Sequence, residues 1–332
     1  MPASAPKRLA HRLRRAGLAL GVMALVTPAL AQLAAQDWLQ EMHDATRRLN
    51  YEGVFVYQRG AQLDTMRLVH RYDGDTEQER LISLSGPARE VIRDGTLVTC
   101  LFADDQAAVV EKNAPRDLIG IGFSAPVESL RDSYGFSLEG YDRIAGREAA
   151  IVGVRPHRDD RYAYRLWIDS ASKLLLKSVI LGRGGRVLEQ VQFTQIDLYD
   201  TIDPMMLRPE IGGSGFTWRT DLEDAGDAEP PSSAASWQVQ WVPQGFTMRE
   251  SNIQNMATSH VPVDHQVYSD GLAMVSVFIE KLMQGETPLQ GYSARGAVNA
   301  FSRVEDAYQI TVVGELPLPT VRQIAASVVR VE

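Results

Sequence analysis

A change of hydrophobic period at residue 51 constrains the fold more than any other feature. From there on, short runs rich in β-branched and aromatic residues are separated by Gly, Pro and Asp turns, which predicts an antiparallel meander. In the first run, YEGVFVYQRG, both alternating faces are apolar, with Val54 and Val56 on one face and Phe55 and Tyr57 on the other. A sheet with one face in water would alternate apolar and polar residues. We therefore expect a large sheet covered by helices on one face and by a lid or ligand on the other.

Charged residues crowd one stretch of this region, VHRYDGDTEQERLISLSGPAREVIRDG at 69–95. Its acids cluster at DGDTE, which indicates a hairpin turn around Asp73-Gly74. A catalytic cluster would need a nucleophile and a base that converge in a cleft. The charges on the next two strands instead predict cross-strand ion pairs on a solvated face of the sheet; they are Glu79, Arg80, Arg89, Glu90 and Arg93.

The first 31 residues have the features of a secretory signal peptide. A basic segment precedes the apolar run AGLALGVMALVTPALA, and Ala29-Leu30-Ala31 forms an A-x-A cleavage pattern before Gln32. The run is too short to span a bilayer comfortably, so we expect export of the protein and removal of residues 1–31. Removal deletes five basic and no acidic residues, which takes the formal charge from -8 to -13. Such a chain lacks the basic surplus that binds nucleic acid.

The remaining chain is expected to form two domains. Residues 32–219 begin with an amphipathic helix over 36–49 and continue as strands. TDLEDAGDAEPPSSAAS at 220–236 has five acids, two prolines and three serines without apolar periodicity, as an exposed linker does. Residues 237–332 predict strands and a terminal helix, PTVRQIAASVVRV, in which Thr320 and Gln323 have capping-box spacing.

Known catalytic and cofactor motifs are missing from the sequence. It has no G-x-S-x-G, H-E-x-x-H, P-loop or G-x-G-x-x-G pattern, and no motif marks a carboxylate pair for glycoside chemistry. His260 and His265 are close together, but HVPVDH offers neither helical nor strand spacing for joint metal ligation. The single cysteine, Cys100, is expected to be a buried small hydrophobe in TLVTCLFA. We therefore predict a binding protein with no catalytic residue, metal or cofactor.

Several blocks together closely resemble the RseB/MucB family, periplasmic negative regulators of the envelope-stress sigma factor. They are YEGVFVYQRG, the block at 69–95, WQVQWVPQGFTM, VYSDGLAMVSVFIE and GAVNAFSR followed by YQITVVGELPLPTVRQIA. The resemblance covers essentially the whole chain after residue 31. It implies an α+β fold, in which a large half-open antiparallel β-barrel, similar to the LolA and LppX carriers, has helices on its concave face. A smaller C-terminal α/β-type domain follows it.

The resemblance also implies a function. A family member binds the periplasmic region of a transmembrane anti-sigma factor and shields it from regulated proteolysis. Lipidic stress signals, such as lipopolysaccharide or the acyl chains of mislocalised lipoproteins, would loosen the complex. The alternative is a periplasmic lipid or lipoprotein carrier, which would have no need of the second domain. Whether the protein forms a homodimer stays open.

Two sets of candidate site residues follow. Apolarity on both faces of the first strands suggests a lipid cavity lined by Phe55, Tyr57, Met66, Leu68, Ile82, Leu84 and Trp167, unless these side chains simply pack against the protein's own helices. Tyr and Arg often carry interface energy, so the partner-binding candidates in the second domain are Arg249, Tyr268, Asp270, Phe278 and Arg295. The polar linker is expected to hold the domains at a variable angle, with a helical partner segment in the groove between them.

Overall fold

The computed structural model describes residues 28–112, 126–212, 215–220, 236–254 and 261–331. The two α-helices in these ranges are α1 (Pro28–Arg48) and α2 (Leu318–Ala326). The strands of the first domain are β1 (Asn50–Arg59), β2 (Gln62–Tyr72), β3 (Glu77–Ser83), β4 (Arg89–Asp94), β5 (Leu97–Phe102), β6 (Ala107–Lys112), β7 (Tyr134–Ile144), β8 (Arg147–Pro156), β9 (Ala163–Asp169), β10 (Leu175–Leu181), β11 (Val187–Tyr199) and β12 (Thr217–Thr220). Those of the second are β13 (Ser236–Val239), β14 (Thr247–Gln254), β15 (Val263–Ser269), β16 (Met274–Lys281), β17 (Gly291–Arg295), β18 (Val298–Glu305), β19 (Tyr308–Gly314) and β20 (Val328–Val331).

A twelve-stranded sheet dominates the first domain. Its strand order is β12-β6-β5-β4-β3-β2-β1-β11-β10-β9-β8-β7, and β12 is parallel to β6 whereas the other pairs are antiparallel. The long strand β11 returns to pair with β1, which joins two meanders into one sheet. Within the described ranges β12 and β7 are its two edges, so the barrel is half-open and the predicted fold class is confirmed.

Helix α1 packs on one face of this sheet, here called the inner face. Its side chains Ala35, Leu39 and Met42 recur every three or four residues, as one face of a helix requires. They lie in an apolar cluster with Leu166 and Ile180 of β9 and β10. The helix predicted over 36–49 is therefore confirmed, although it begins at Pro28.

The opposite, outer face is covered over part of its area by residues 202–211, here called the strap. Ile202 and Leu207 pack against Val69 of β2, and Asp203 caps a 3-10 helix at Pro204–Leu207. Both faces of the sheet are thus covered near β2, as its apolar pattern required. The second cover is a later segment of the same chain, where we had expected a lid or a ligand.

The second domain holds a separate, smaller sheet with the order β14-β15-β16-β19-β18-β17, and a two-stranded pair, β13-β20. Val321 and Ile324 of α2 pack on Val277 and Ile310 of this sheet, which confirms the first part of the predicted terminal helix. Its predicted end is wrong, because α2 stops at Ala326 and residues 328–331 form the strand β20. The capping box is wrong: Pro317 is the N-cap, and the Thr320 hydroxyl donates to the carbonyl of Asp160 in the first domain.

Parts of three predictions lie outside the described residues: most of the signal peptide, the linker over 221–235, and His260. The two ends of the predicted linker belong to strands, because Thr220 pairs with β6 and Ser236 pairs with β20. Cys100 is half-buried in β5. None of the described helices combines the length and the apolarity that a membrane span requires.

Candidate functional site at the domain junction

Four of the seven predicted cavity residues share the inner face. Phe55 lies opposite Met66 across β1 and β2, and Tyr57 and Leu68 follow two residues along the same strands, so all four point the same way. Phe55, Met66 and Leu68 are buried in an apolar cluster against which Leu49, just after α1, also packs. The protein's own side chains surround them, and their role in binding lipid stays a prediction.

The other three cavity candidates lie elsewhere, which corrects the expected lining. Ile82 pairs with Arg67, an outer-face residue because it neighbours Leu68 in the strand. Trp167 pairs with Lys177, and the ladder continues through β11 so that Trp167 is also on the outer face. Leu84 lies beyond the end of β3 and is 50% exposed. Apolarity alone did not separate the faces because both are partly buried.

Asp270 of the second domain is the centre of the contact between the two domains. Its Oδ2 accepts hydrogen bonds from Arg161 at 2.6 Å and from the Tyr134 hydroxyl at 2.9 Å, both in the first domain. Its Oδ1 accepts the backbone N–H groups of Leu272 and Ala273, which fixes the turn that carries it. Burial and the Asp270 charge raise the pKa of Tyr134 well above its ordinary value, so the phenol keeps its proton and donates.

Arg161 binds oxygen atoms of both domains. Besides Asp270 it donates to Asp160 Oδ1 at 2.8 Å and to the carbonyl of Gln244 at 2.7 Å. Its guanidinium lies 5.2 Å from the ring centre of Phe246, within cation–π range. The side chains of Arg161 and Asp270 are 2% and 1% exposed. A buried charge needs several partners of this kind, because it has lost its hydration.

Two further contacts extend the junction. Glu189 of β11 accepts the N–H of Ala297 at 2.8 Å, and Ala297 packs into the same apolar cluster as α1. Tyr162 bonds Asn299 and the carbonyl of Leu316. Apolar and polar groups of the second domain thus close one end of the apolar layer under α1.

The five predicted partner-binding residues fall in different environments. Asp270 and Arg295 contact the first domain, the latter through Gln62, and Asp270 is fully occupied there. Tyr268 is buried and bonds Gln266, so it belongs to the core of the second domain. Phe278 is half-buried and stacks on His265, and Arg249 is exposed on the edge strand β14.

The variable domain angle that we expected is not what the structure shows, because the domains are joined by buried, directional bonds. Sequence reasoning missed Arg161, Tyr134 and Glu189 because their bonding partners lie in the other domain. Arg161 stands in RDDRYAYR, a run of charged residues in which nothing marks it as a partner of the second domain. Its role becomes visible only in the folded chain, where it contacts Asp270, 109 residues away in sequence.

The charged stretch at 69–95 forms the expected cross-strand pairs, but the expected solvated face is wrong. Arg80 bonds Glu90 through two nitrogens, and Arg93 bonds Glu79. All four residues are buried. Since Arg80 neighbours Glu79 in β3, the two pairs lie on opposite faces of the sheet. The strap buries the outer pair, and its N–H groups at 210 and 211 bond Glu90.

His70 and two carboxylates form the one group among the described residues whose ligand atoms approach closely enough to suggest a metal ion, and Glu77 and Glu79 complete it. His70 contacts the carbonyl of Leu49 at 2.7 Å and Glu77 at 3.3 Å through its two ring nitrogens. Glu79 is already paired with Arg93, a cation that would repel a metal ion. The arrangement therefore favours a closed hydrogen-bonded network that ties the end of α1 to the sheet.

Comparison with known proteins places both domains in one family. The MucB/RseB N-terminal domain matches residues 34–211, and the MucB/RseB C-terminal domain matches residues 231–329. The sigma factor AlgU regulatory protein MucB of Pseudomonas aeruginosa is 32% identical over 317 residues, which are 92% of this chain and 93% of that protein. The sigma-E factor regulatory protein RseB of Haemophilus influenzae is 28% identical over 95% of this chain and 98% of its own.

Solved structures agree with this assignment. The chain is similar to the complex structure of Pseudomonas aeruginosa MucA/MucB, with a TM-score of 0.71, 29% identity, and coverage of 90% of this chain and 99% of that chain. The crystal structure of MucB in complex with MucA(peri) gives a TM-score of 0.69 at the same identity and coverage. These matches span the domain junction as well as both domains.

Proposed function

This chain belongs to the MucB/RseB family, and we propose that it regulates an envelope-stress sigma factor by binding the periplasmic region of a transmembrane anti-sigma factor. The observation that carries the proposal is the similarity of the whole two-domain chain to a MucB that is in complex with MucA. The relatives are regulatory proteins, which agrees with a binding role. The secretory signal at residues 1–31 supports a periplasmic location.

The bound anti-sigma factor would be shielded from regulated proteolysis. The docked domains support this role because buried bonds such as Arg161–Asp270 fix their relative orientation, so an extended segment that contacts both domains can be held in a fixed orientation. Proteases need a substrate segment that can leave such a surface and enter their active site. A partner that contacts both domains gains from their fixed arrangement, because the arrangement is preorganised.

Among the five candidate residues, Arg249 is the best placed to contact the partner. It is exposed on β14, an edge strand of the smaller sheet, next to Met248, which is 52% exposed. An edge strand offers unpaired backbone groups to an extended peptide. Asp270, Tyr268 and Arg295 are engaged within the protein, so we assign them to the structure of the junction and the core.

Binding and protection are tested with residues 32–332 and the periplasmic domain of the anti-sigma factor from the same genome. We expect the intact chain to bind saturably and to slow cleavage of that domain by the protease that normally initiates its degradation. Arg249→Ala should weaken binding about tenfold, as an interface arginine can, whereas Arg158→Ala, also an exposed arginine, should not. Absence of saturable binding by the intact chain would refute the proposal.

Fragments 32–219 and 237–332, which we expect to fold alone, provide a second test. Each fragment should protect poorly, and an unlinked mixture should protect much less than the intact chain at the same micromolar concentration. Linking raises the effective local concentration of the second domain to about the millimolar range. If one fragment protects as well as the whole chain, the binding site belongs to that fragment.

Sensing of a lipidic signal is the remaining part of the proposal, and a lipid or lipoprotein carrier is the alternative function. Both need an acyl chain to enter the inner face at Phe55, Met66 and Leu68. Delipidated protein should take up a fluorescent fatty acid saturably, and a regulator should then release the anti-sigma factor. Uptake without release would favour the carrier, and no saturable uptake would remove both lipid roles.

A further inference from the structure

One carboxylate links the inner face of the large sheet to the second domain. Glu189 Oε2 accepts a hydrogen bond from the Tyr57 hydroxyl at 2.5 Å, and its Oε1 accepts the N–H of Ala297 at 2.8 Å. Glu189 is buried. Because a buried carboxylate is costly unless its oxygens are bonded, each of the two contacts supports the other.

Tyr57 belongs to the inner face on one side of this link. Its ring packs against the apolar cluster that contains Phe55, Met66 and Leu68. Burial and the hydrogen bond to Glu189 raise the pKa of Tyr57, so the hydroxyl remains a donor at any physiological pH. A change in the packing of the inner face therefore reaches Glu189 through a single rigid side chain.

The turn at residues 295–297, here called the docking turn, lies on the other side. Ala297 is fully buried in the apolar cluster under α1, which also contains Leu188. Gly296 has φ +64, and a Cβ there would lie 2.2 Å from Glu189 Oε1. The docking turn is thus closely packed against Glu189, so its position depends on the orientation of that carboxylate.

We propose that Tyr57 is a positioning residue that couples the inner face to docking of the second domain through Glu189. A ligand that displaces the Tyr57 ring removes one of the two bonds that orient Glu189, and the docking turn loosens. In this scheme the second domain caps the apolar layer, and entry of an acyl chain and closure of the cap oppose each other. The ligand part rests on the lipid sensing of the proposed function; the coupling itself does not.

Hydrogen exchange in residues 32–332 tests the coupling without any ligand. Tyr57→Phe keeps the ring and deletes the hydroxyl that orients Glu189. The hydrogen bond from the Ala297 amide to the Glu189 carboxylate should then weaken, and exchange of that amide should speed up about tenfold. Exchange in β16 should not change, which distinguishes a local effect from general destabilisation. Tyr199→Phe is the matched control, because Tyr199 is exposed and its hydroxyl is 3.5 Å from the nearest carboxylate.

Glu189→Gln is the second variant and should also speed exchange at Ala297, since the amide oxygen carries no full charge. A saturating fluorescent fatty acid should have the same effect on the unaltered chain and a smaller one on Tyr57→Phe. Equal exchange at Ala297 in Tyr57→Phe and Tyr199→Phe would overturn the coupling. Probe uptake that leaves Ala297 exchange unchanged would also overturn it, although lipid binding and anti-sigma binding would stand. Absence of uptake would remove only the ligand part.

Discussion

Replacing Asp270 by Asn tests whether docking of the two domains requires both partners of the buried ion pair. The substitution leaves the shape of the side chain and its Oδ1 acceptor, which caps the turn at Leu272 and Ala273. It removes the charge that faces Arg161 at 2.6 Å. The junction then contains a buried guanidinium that has lost one of its two carboxylate partners.

The magnitude follows from what Arg161 retains. Removing one partner of a buried ion pair costs about 3–5 kcal/mol. Arg161 keeps its bonds to Asp160 and to the carbonyl of Gln244, so we expect the lower end, about 3 kcal/mol. Such a loss weakens docking about 150-fold.

Urea unfolding of residues 32–332, followed by circular dichroism, measures this loss. The free energy of unfolding should fall by about 3 kcal/mol. The matched control is Asp159→Asn, whose pair with Arg183 is exposed, at 88% and 89%, and should cost less than about 1 kcal/mol. Equal free energies for the two variants would refute the reasoning. Arg161→Met combined with Asp270→Leu should recover part of the loss, since no buried charge is then left alone.

Three other predictions concern the strap, the docking turn and Asp169. Glu90→Gln should lower the free energy of unfolding in urea by about 3 kcal/mol, because its buried carboxylate bonds both β3 and the strap. The control is Glu210→Gln, whose side chain is 80% exposed and which should cost less than about 1 kcal/mol. Equal costs for the two variants would contradict the burial of Glu90. Gly296→Ala should speed hydrogen exchange in the docking turn, while Gly60→Ala, with the similar φ of +61 and nothing within 4 Å, should leave it unchanged; similar exchange in both would refute the tight fit. Burial alone would raise the pKa of Asp169, but hydrogen bonds from neighbouring Arg and Ser side chains outweigh it and lower that pKa. The carboxylate therefore stabilises the fold above about pH 4, and this stabilisation is lost as the pH falls through the lower pKa of the folded state. Asp169→Asn should flatten the dependence of the melting temperature on pH in this acidic range, and an unchanged slope would contradict the assignment.

Local pattern was enough to predict the strands, the hairpins and the two helices. In runs such as YEGVFVYQRG, β-branched and aromatic residues bounded by turn residues indicate a strand, and turn dipeptides such as Asp73-Gly74 mark where strands reverse. The capping box at Thr320 shows the limit of this reasoning. The spacing is present, but Pro317 is the N-cap of the helix and the Thr320 hydroxyl donates to a carbonyl of the other domain.

Burial was the harder quantity to predict. Cross-strand ion pairs among the charged residues of 69–95 were predicted, although not which residues pair, and the expected solvent exposure was wrong. Nothing in residues 69–95 indicates that a segment more than a hundred residues later crosses the outer face. A charged residue in a strand looks the same in sequence whether its cover is water or a distant part of the chain.

The chemistry of the junction has a consequence for regulation. If the domains were held by apolar surface alone, separating them would expose that surface to water at a cost proportional to its area. An ion pair behaves differently, because Arg161 and Asp270 recover their hydration when the domains part, and this offsets most of their lost attraction. Such a pair fixes the orientation of the docked domains while adding little to the free energy needed to separate them. The docked state can therefore be precise in geometry and still be shifted by a modest change in a contact such as Tyr57–Glu189, which suits a protein that must hold its partner and then release it.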